Sequence, residues 1–300
     1  MTEPAAGWHQ PVLVDEVLAY LRPRPGLVVV DGTLGSGGHS LSILPKLLPD
    51  GRLIGLDRDA ESLRLAQQRL AEFAPQASCL HDNYRNLPDM LTSLGLRGID
   101  GLLLDLGMST PQVDCAARGF SFMHDGPLDM RMDQTQETTA ASLVNRFSAD
   151  ELIDVLRTLG EERFAPRIAR QIVRERQACA IETTRQLAEV VSRAVPPQAR
   201  HGRLHPATRT FQALRIAVND ELGALEALLE RLPRVLNAGG RAVIITFHSL
   251  EDRLVKRAFA QGMRDGCWTV LTKKPVRPGE AEVARNPRAR SAKLRAIEAA

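Results

Sequence analysis

Short apolar runs that end in an acidic residue recur in the first third of the chain. They lie at residues 27–31, 52–57 and 99–105, and they are rich in Val, Ile and Leu. Short runs without polar alternation are typical of buried parallel strands. Residues 77–81 form a weaker run of the same kind. Helical periodicity between the runs, beginning at residues 12–21, predicts alternating strands and helices.

The alternation stops in the middle of the chain. Residues 115–206 contain no convincing strand, but they contain two helix-starting signals, Ser148 with Glu151 and Thr183 with Gln186. A long helical stretch is predicted for residues 210–236, ended by Gly239 and Gly240. Three further strands are predicted at residues 241–247, 268–272 and 292–298.

This pattern predicts an α/β fold with a seven-stranded, mostly parallel sheet and an inserted all-α domain. The expected boundaries are 1–114 for the first part of the core, 115–206 for the helical insert and 207–300 for the second part. Ligands of such sheets bind beyond the carboxyl ends of the strands. The predicted edge carries Asp31, Asp57, Asp105 and His248.

A glycine-rich turn follows the first strand, and an acid ends the second. The turn is DGTLGSGGHS at residues 31–40, and Asp57 can accept two hydrogen bonds from a ribose diol. A nicotinamide fingerprint would need glycine where Ser40 stands, and no Gly-Lys-Ser/Thr of a P-loop follows. Asp31 suits a cationic ligand better than a pyrophosphate. These residues favour S-adenosylmethionine, although a glycine-rich turn with an unrelated acid is the structural alternative.

The distribution of charge along the chain indicates a polyanionic partner. The net charge is +3, but residues 200–300 carry 19 Lys/Arg against 10 Asp/Glu. A basic third of the chain indicates a nucleic-acid partner, with an ordinary solvated surface as the alternative. The four cysteines form no CxxC pair, so neither a metal site nor a disulfide is expected. With no long apolar stretch and no signal pattern near the start, a cytoplasmic protein without a membrane anchor is expected.

Eight motifs, in order along nearly the whole chain, resemble the bacterial MraW family. They are DGTLGSGGHS (31–40), DLGMSTPQ (105–112), RGFSF (118–122), GPLDMRM (126–132), GEERF (160–164), HPATRTFQA (205–213), FHSLEDR (247–253) and NPRARS (286–291). The resemblance implies a class I, Rossmann-like methyltransferase core and N4-methylation of a cytidine in the decoding region of small-subunit (16S) ribosomal RNA. It also implies donor contacts at Gly37, Gly38, His39, Asp57, Tyr84, Asp105 and Gln112, and the turn analysis adds Asp31 and Gly35. The partner is then this RNA or the small ribosomal subunit, and the sequence leaves open whether the chain forms a homodimer.

Several candidate residues have two interpretations. Asp105 either binds the donor or accepts the proton from N4, because the Asp-Pro-Pro-aromatic motif of amino-methyltransferases is replaced here by DLGM. His248 either serves catalysis or caps the next helix. Cys115 is either a C5-methylation nucleophile or, as its alanine neighbours favour, a small buried residue.

The candidates for RNA contact also have structural alternatives. Phe120 and Phe122 could stack a flipped base or pack in the core. Arg209 and Arg215 could contact phosphates or pair with Glu161 or Glu162. The remaining substrate candidates are Ser109 and Ser249. A DNA or protein methyltransferase, a dehydrogenase and a non-catalytic RNA-binding subunit are the rival classes.

Overall fold

The computed structural model describes residues 11–200 and 205–300. The N-terminal segment on which the absence of a signal pattern was judged lies mostly outside these residues. Within them, seven strands form one sheet in the order β3-β2-β1-β4-β5-β7-β6. The strands are β1 (Val28–Asp31), β2 (Arg52–Asp57), β3 (Ala77–His81), β4 (Ile99–Asp105), β5 (Leu236–Thr246), β6 (Trp268–Val270) and β7 (Lys293–Ala299).

The first five strands are parallel, and β7 runs antiparallel to both β5 and β6. This confirms the predicted fold class. Alternate residues of the central strands face two hydrophobic layers. One layer includes Val30, Leu102 and Ile244, and the other includes Val29 and Leu103. Parallel strands covered on both faces explain why the sequence runs are continuously apolar.

Fourteen α-helices lie within the described residues, and α2 begins directly after the glycine-rich turn. They are α1 (Val14–Leu21), α2 (Gly38–Leu47), α3 (Ala60–Arg69), α4 (Leu87–Ser93), α5 (Thr110–Asp114), α6 (Ala140–Arg146), α7 (Ala149–Thr158), α8 (Ala165–Arg176), α9 (Thr184–Ala194), α10 (Pro197–Arg200), α11 (Thr208–Asn219), α12 (Glu221–Val235), α13 (Ser249–Arg264) and α14 (Glu280–Arg285). None of these described helices is both long and apolar enough to cross a lipid bilayer.

The chain divides into two compact units. The core unit contains Met1–Ser109 and Leu222–Ala300, and the helical unit contains Thr110–Glu221. The expected insert of residues 115–206 lies inside the helical unit. Residues 207–221, which we expected in the core, group with the helical unit because α11 packs against α6 and α7.

The helical stretch predicted for residues 210–236 consists of two helices. Asp220 separates α11 from α12 and adopts a left-handed conformation with φ 47°. Aspartate tolerates this region better than most residues. The second helix also ends at Val235, before Gly239 and Gly240, and the strand begins at Leu236.

Candidate active site

The glycine-rich turn after β1 forms the centre of the site. Gly35 and Gly37 have φ values of +53° and +80°, which side chains with a Cβ rarely adopt. A Cβ on Gly35 would have only the carbonyl oxygen of Thr33 near it, at 4.0 Å. The turn therefore presents open backbone, and the α2 N-terminus that follows offers N–H groups to a polar ligand.

Asp31 stabilises this turn through side-chain hydrogen bonds. Its side chain accepts a hydrogen bond from Ser40 Oγ at 2.7 Å and one from the backbone N–H of Thr33 at 3.3 Å. The residue is 1% exposed, and this burial raises the pKa of its carboxyl group. Both Asp31 oxygens therefore accept hydrogen bonds within the turn, and the contact of Asp31 with the ligand stays a prediction. Ser40, which distinguished this turn from a nicotinamide fingerprint, is its main partner.

Asp57, at the end of β2, joins the second strand to the turn. Its Oδ2 accepts from the N–H of Gly35 at 2.7 Å, and its Oδ1 accepts from the N–H of Asp59 at 2.8 Å. Each oxygen retains one lone pair, and the side chain is partly exposed. Burial raises the pKa of Asp57 to about 6. A fixed, partly exposed carboxylate beside open backbone suits a ribose diol.

His39 and Asp105 form a second polar pair at the same edge. His39 Nε2 lies 3.4 Å from Asp105 Oδ2, and the Asp105 N–H donates to Thr33 Oγ1 at 2.6 Å. Burial alone would lower the pKa of His39, but the adjacent Asp105 carboxylate, with the charges of Asp31 and Glu282, raises it overall. Positive charge is therefore favoured on a buried imidazole.

Three buried polar atoms of this pair have no hydrogen-bond partner within the described part of the chain. They are His39 Nδ1, His39 Nε2 and Asp105 Oδ1. Buried polar atoms are normally satisfied, so unpaired ones mark a place where a ligand can bind. His39 offers a hydrogen-bond donor and Asp105 offers an acceptor, so together they fit the carboxylate and the ammonium group of an amino acid. The residues at this edge therefore fit S-adenosylmethionine.

Tyr84 and Ser109 border the same edge of the core unit. Tyr84 is 8% exposed, and a Cβ on Gly32 would lie 3.2 Å from its Cβ, so the tyrosine packs against the start of the turn. Ser109 Oγ lies 3.4 Å from Ser62 Oγ. Gln112, the remaining predicted donor contact, is a buried residue of the helical unit.

Glu282 is a site residue that sequence reasoning missed. Its carboxylate accepts a hydrogen bond from the backbone N–H of Leu13 at 2.8 Å, and its charge acts on His39. Leu13 has a strained φ of 57° and precedes α1, while Pro11 lies against Gly38. Glu282 thus holds the segment that packs on the glycine-rich turn. Since 269 residues separate the two partners, no local pattern could have revealed the contact.

His248 caps α13, as the structural interpretation of this residue predicted. The Glu251 N–H donates to His248 Nδ1 at 3.4 Å, and His248 Nε2 lies 3.1 Å from Glu251 Oε1. Glu251 in turn accepts from the N–H groups of Phe247 and His248. Nε2 is buried and makes no hydrogen bond among the described residues, so a catalytic role for His248 stays a prediction. Ser249, the first residue of α13, is exposed.

The aromatic candidates of the helical unit pack within it. Phe120 is 7% exposed, with the Arg118 guanidinium 5.9 Å from its ring centroid. The Phe122 ring centroid lies 4.9 Å from that of Phe211 and 4.6 Å from that of His205. This supports the packing interpretation of both phenylalanines, although Phe122 remains partly exposed.

The two candidate arginines differ from each other. Arg215 is buried, and its guanidinium donates to both oxygens of Glu221 at 2.8 Å. It is therefore unavailable to phosphate, which corrects that prediction. Arg209 is exposed and donates to the backbone carbonyl of Glu161 at 2.8 Å. Cys115, which lies just before a short 3-10 helix, is exposed, and this contradicts the expected buried position.

Comparison with known proteins agrees with this geometry. The model of the MraW methylase family matches residues 6–300. A protein of Geotalea daltonii is 51% identical over 306 residues, covering 97% of this chain and 98% of its own length. A protein of Geobacter sulfurreducens is 52% identical over 305 residues with the same coverage, and one of Symbiobacterium thermophilum is 50% identical over 304 residues, covering 96% of each. All three are named ribosomal RNA small subunit methyltransferase H. The chain therefore belongs to the MraW methylase family, whose members use S-adenosylmethionine as the methyl donor.

Proposed function

We propose that this chain methylates the exocyclic N4 of a cytidine in the decoding region of small-subunit ribosomal RNA. Membership of the methylase family and the names of its relatives support the reaction type and the RNA class. The observation that carries the finer assignment is the partnerless Asp105 Oδ1 at the carboxyl end of β4. It is the unengaged acceptor at the edge where a donor and a base would meet.

The proposed donor site is built from the turn and the strand ends. Asp57 would hold the ribose hydroxyls, and the backbone at Gly35, Gly37 and Gly38 would lie along the donor. His39 would face its carboxylate. Tyr84 completes the proposed donor contacts of the core unit, and a contact with Gln112 stays a prediction. When bound, S-adenosylmethionine supplies an electrophilic methyl group on its sulfonium.

Asp105 has the more direct part in the proposed chemistry. The lone pair of a cytosine N4 is delocalised into the ring, so the amine is a poor nucleophile. An acceptor for one N4 hydrogen raises the electron density on nitrogen and can take the proton after transfer. Asp105 Oδ1 can do this while Oδ2 stays beside His39. Binding of the donor's ammonium group is the other use of the same oxygen.

Carbon-5 methylation would instead need a cysteine thiolate to attack the ring. Burial raises the pKa of the Cys79 thiol in β3, which disfavours its thiolate. Cys115 and Cys179 are exposed residues of the helical unit, and Cys267 follows α13. The described cysteines therefore favour the direct transfer that N4 chemistry allows.

The test is nucleoside analysis of methylated RNA. The protein, S-adenosylmethionine and either small ribosomal subunits or transcribed small-subunit RNA are incubated, and the digested nucleosides are measured by mass spectrometry. N4-methylcytidine is expected from the wild type and should be lost in Asp105→Asn. 5-methylcytidine, or no methylated cytidine with either substrate, would refute the proposal. The comparison of the two substrates also identifies the partner, and a ribosomal substrate would place the protein in the cytoplasm.

A further inference from the structure

Helix α8 carries a row of arginines on one face. Arg163, just before the helix, and Arg167, Arg170 and Arg174 within it are all exposed. Their spacing of four, three and four residues places them one above another on a helix. The opposite face is buried and apolar, with Ala165, Ile168, Ala169 and Ile172. We call these four arginines the α8 arginine row.

The row is not neutralised by acidic neighbours. Residues 163–176 contain five arginines and a single acid, Glu175. Glu175 accepts from Gln171 at 2.7 Å and pairs with Arg193 at 3.3 Å. Within the described part of the chain, no ion pair involves Arg167, Arg170 or Arg174. Some other arginines of the helical unit do form ion pairs, as the Arg131–Asp129 and Arg215–Glu221 pairs show.

The row has no evident structural benefit. Like charges three and four residues apart on a helix repel each other. Arg163 and Arg167 also lie at the helix N-terminus, where the helix dipole disfavours positive charge. The Arg163 guanidinium is 4.6 Å from the Phe164 ring centroid, which fixes its position at this end. A surface that is electrostatically unfavourable in the isolated protein suits a polyanionic partner.

The dimensions of the row match a phosphate backbone. Seven residues of helix separate Arg167 from Arg174, a rise of about 10 Å. One strand of a nucleic-acid duplex, taken at the DNA value, carries a phosphate about every 3.4 Å along its axis. The row therefore spans about three phosphates. Arginine also matches phosphate geometry better than lysine, because its planar guanidinium can donate two parallel hydrogen bonds.

Arg209 extends the row at its first end. Its guanidinium donates to the carbonyl of Glu161, two residues before Arg163. The exposed Arg209 singled out by the sequence thus belongs to the same surface, whereas the buried Arg215 does not.

We propose that the α8 arginine row binds the phosphate backbone of the RNA substrate and positions it for methylation. This inference rests on the proposed function, which supplies an RNA as the partner. The row does not recognise the base sequence of the RNA, since phosphate contacts carry no sequence information. Its contribution is affinity and orientation through the helical unit.

The test compares two triple variants with the same change in charge. Arg167→Gln, Arg170→Gln and Arg174→Gln together remove the row. The control removes three exposed arginines on other helices of the same unit, Arg146→Gln, Arg157→Gln and Arg185→Gln. The affinity of full-length protein for a fluorescent small-subunit RNA transcript is measured from 50 to 300 mM KCl, alongside melting temperature and calorimetric binding of S-adenosylhomocysteine.

The row variant should bind the transcript more weakly, and the slope of log K against log salt should fall by about 2 to 3. Its melting temperature should be equal or higher, and its affinity for S-adenosylhomocysteine should not change. Equal losses in both triple variants would show an effect of net charge alone and overturn the proposal, as would unchanged transcript binding. Tighter wild-type binding to phosphatidylserine vesicles than to RNA, lost in the row variant, would assign the row to a lipid surface instead. A wild type that binds the transcript but methylates no cytidine would refute the proposed function. The binding of RNA phosphates by the row would still be supported.

Discussion

The Asp57 carboxyl group should couple donor binding to pH. Burial raises its pKa from 3.8 to about 6, although the N–H groups of Gly35 and Asp59 donate to it. The donor's ribose hydroxyls would donate to the same two oxygens. A carboxylate accepts such bonds more strongly than a carboxylic acid does. We therefore expect donor affinity to rise as the pH increases through about 6.

The pKa of Asp57 also determines how strongly donor affinity and ligand-free stability change with pH, and the two change in opposite directions. At about pH 5, roughly one molecule in ten has an ionised Asp57, so donor affinity should be about tenfold lower than above pH 7. Ligand-free stability changes the other way. Because the folded-state pKa is raised, the folded chain binds more protons than the unfolded chain between pH 4 and 6. The free energy of unfolding should therefore fall as pH rises through this window, by about 3 kcal/mol for the full shift.

Two measurements test this coupling. Calorimetric titration with S-adenosylhomocysteine from pH 5 to 8 gives the affinity, and urea unfolding without ligand gives the stability. Asp57→Asn should bind weakly and flatten both pH dependences. His39 titrates nearby, with Asp31 and Asp105 around it, so His39→Gln is measured in parallel to separate its contribution. Wild-type affinity that is constant from pH 5 to 7, or a pH dependence that persists in Asp57→Asn, would refute the reasoning.

Three further changes have defined outcomes. Arg215→Ala leaves Glu221 buried without its partner and should lower the free energy of unfolding by about 3–5 kcal/mol in urea titrations; a loss below about 1 kcal/mol would contradict the buried pair. Glu282→Ala removes the acceptor of the Leu13 N–H and should weaken S-adenosylhomocysteine binding by about 1 kcal/mol, whereas Glu282→Gln retains an acceptor and should lose less. Cys115→Ser should keep most of its methyltransferase activity, and RNA containing 5-fluorocytidine should trap no adduct; inactivity together with a trapped adduct would indicate C5 chemistry.

The parts of the fold that local sequence determines were predictable. The bounds of β2, β3 and β4 agree with the predicted runs at residues 52–57, 77–81 and 99–105. Both helix-starting signals, at Ser148 and Thr183, form complete capping boxes. Apolar runs and caps act over a few residues, so one sequence window contains all the information they need.

The errors occurred where distant contacts decide the structure. The break at Asp220 has no glycine or proline, and the buried pair of Arg215 and Glu221 spans it. The unit boundary also falls near this position, since α11 packs on helices that precede it by some fifty residues or more. Helix propensity describes residues without their tertiary contacts, so it does not predict the break between these two helices.

The candidate site was predictable to a similar extent. The strand-end acids and the glycine turn could be placed because carboxyl ends of parallel strands share one edge. The separate roles of Asp31 and Asp57 could not be predicted, since Asp31 turns inward to Ser40 while Asp57 stays partly exposed. Glu282 and Glu251 were missed because their roles depend on burial and on contacts that the surrounding sequence does not display.

The position of the helical unit between β4 and β5 has a consequence for the order of folding. The unit is continuous in sequence, whereas the core is assembled from two separated segments. Pairing of β4 with β5 closes a loop that contains the whole unit, and leaving that loop unstructured would cost roughly 2 kcal/mol more than a ten-residue loop. A chain made from its N-terminus also completes the helical unit before β5 exists. We expect the helical unit to form first, and the proposed donor-binding edge, whose strand β4 pairs with β5, to be completed only after synthesis has passed the second core segment.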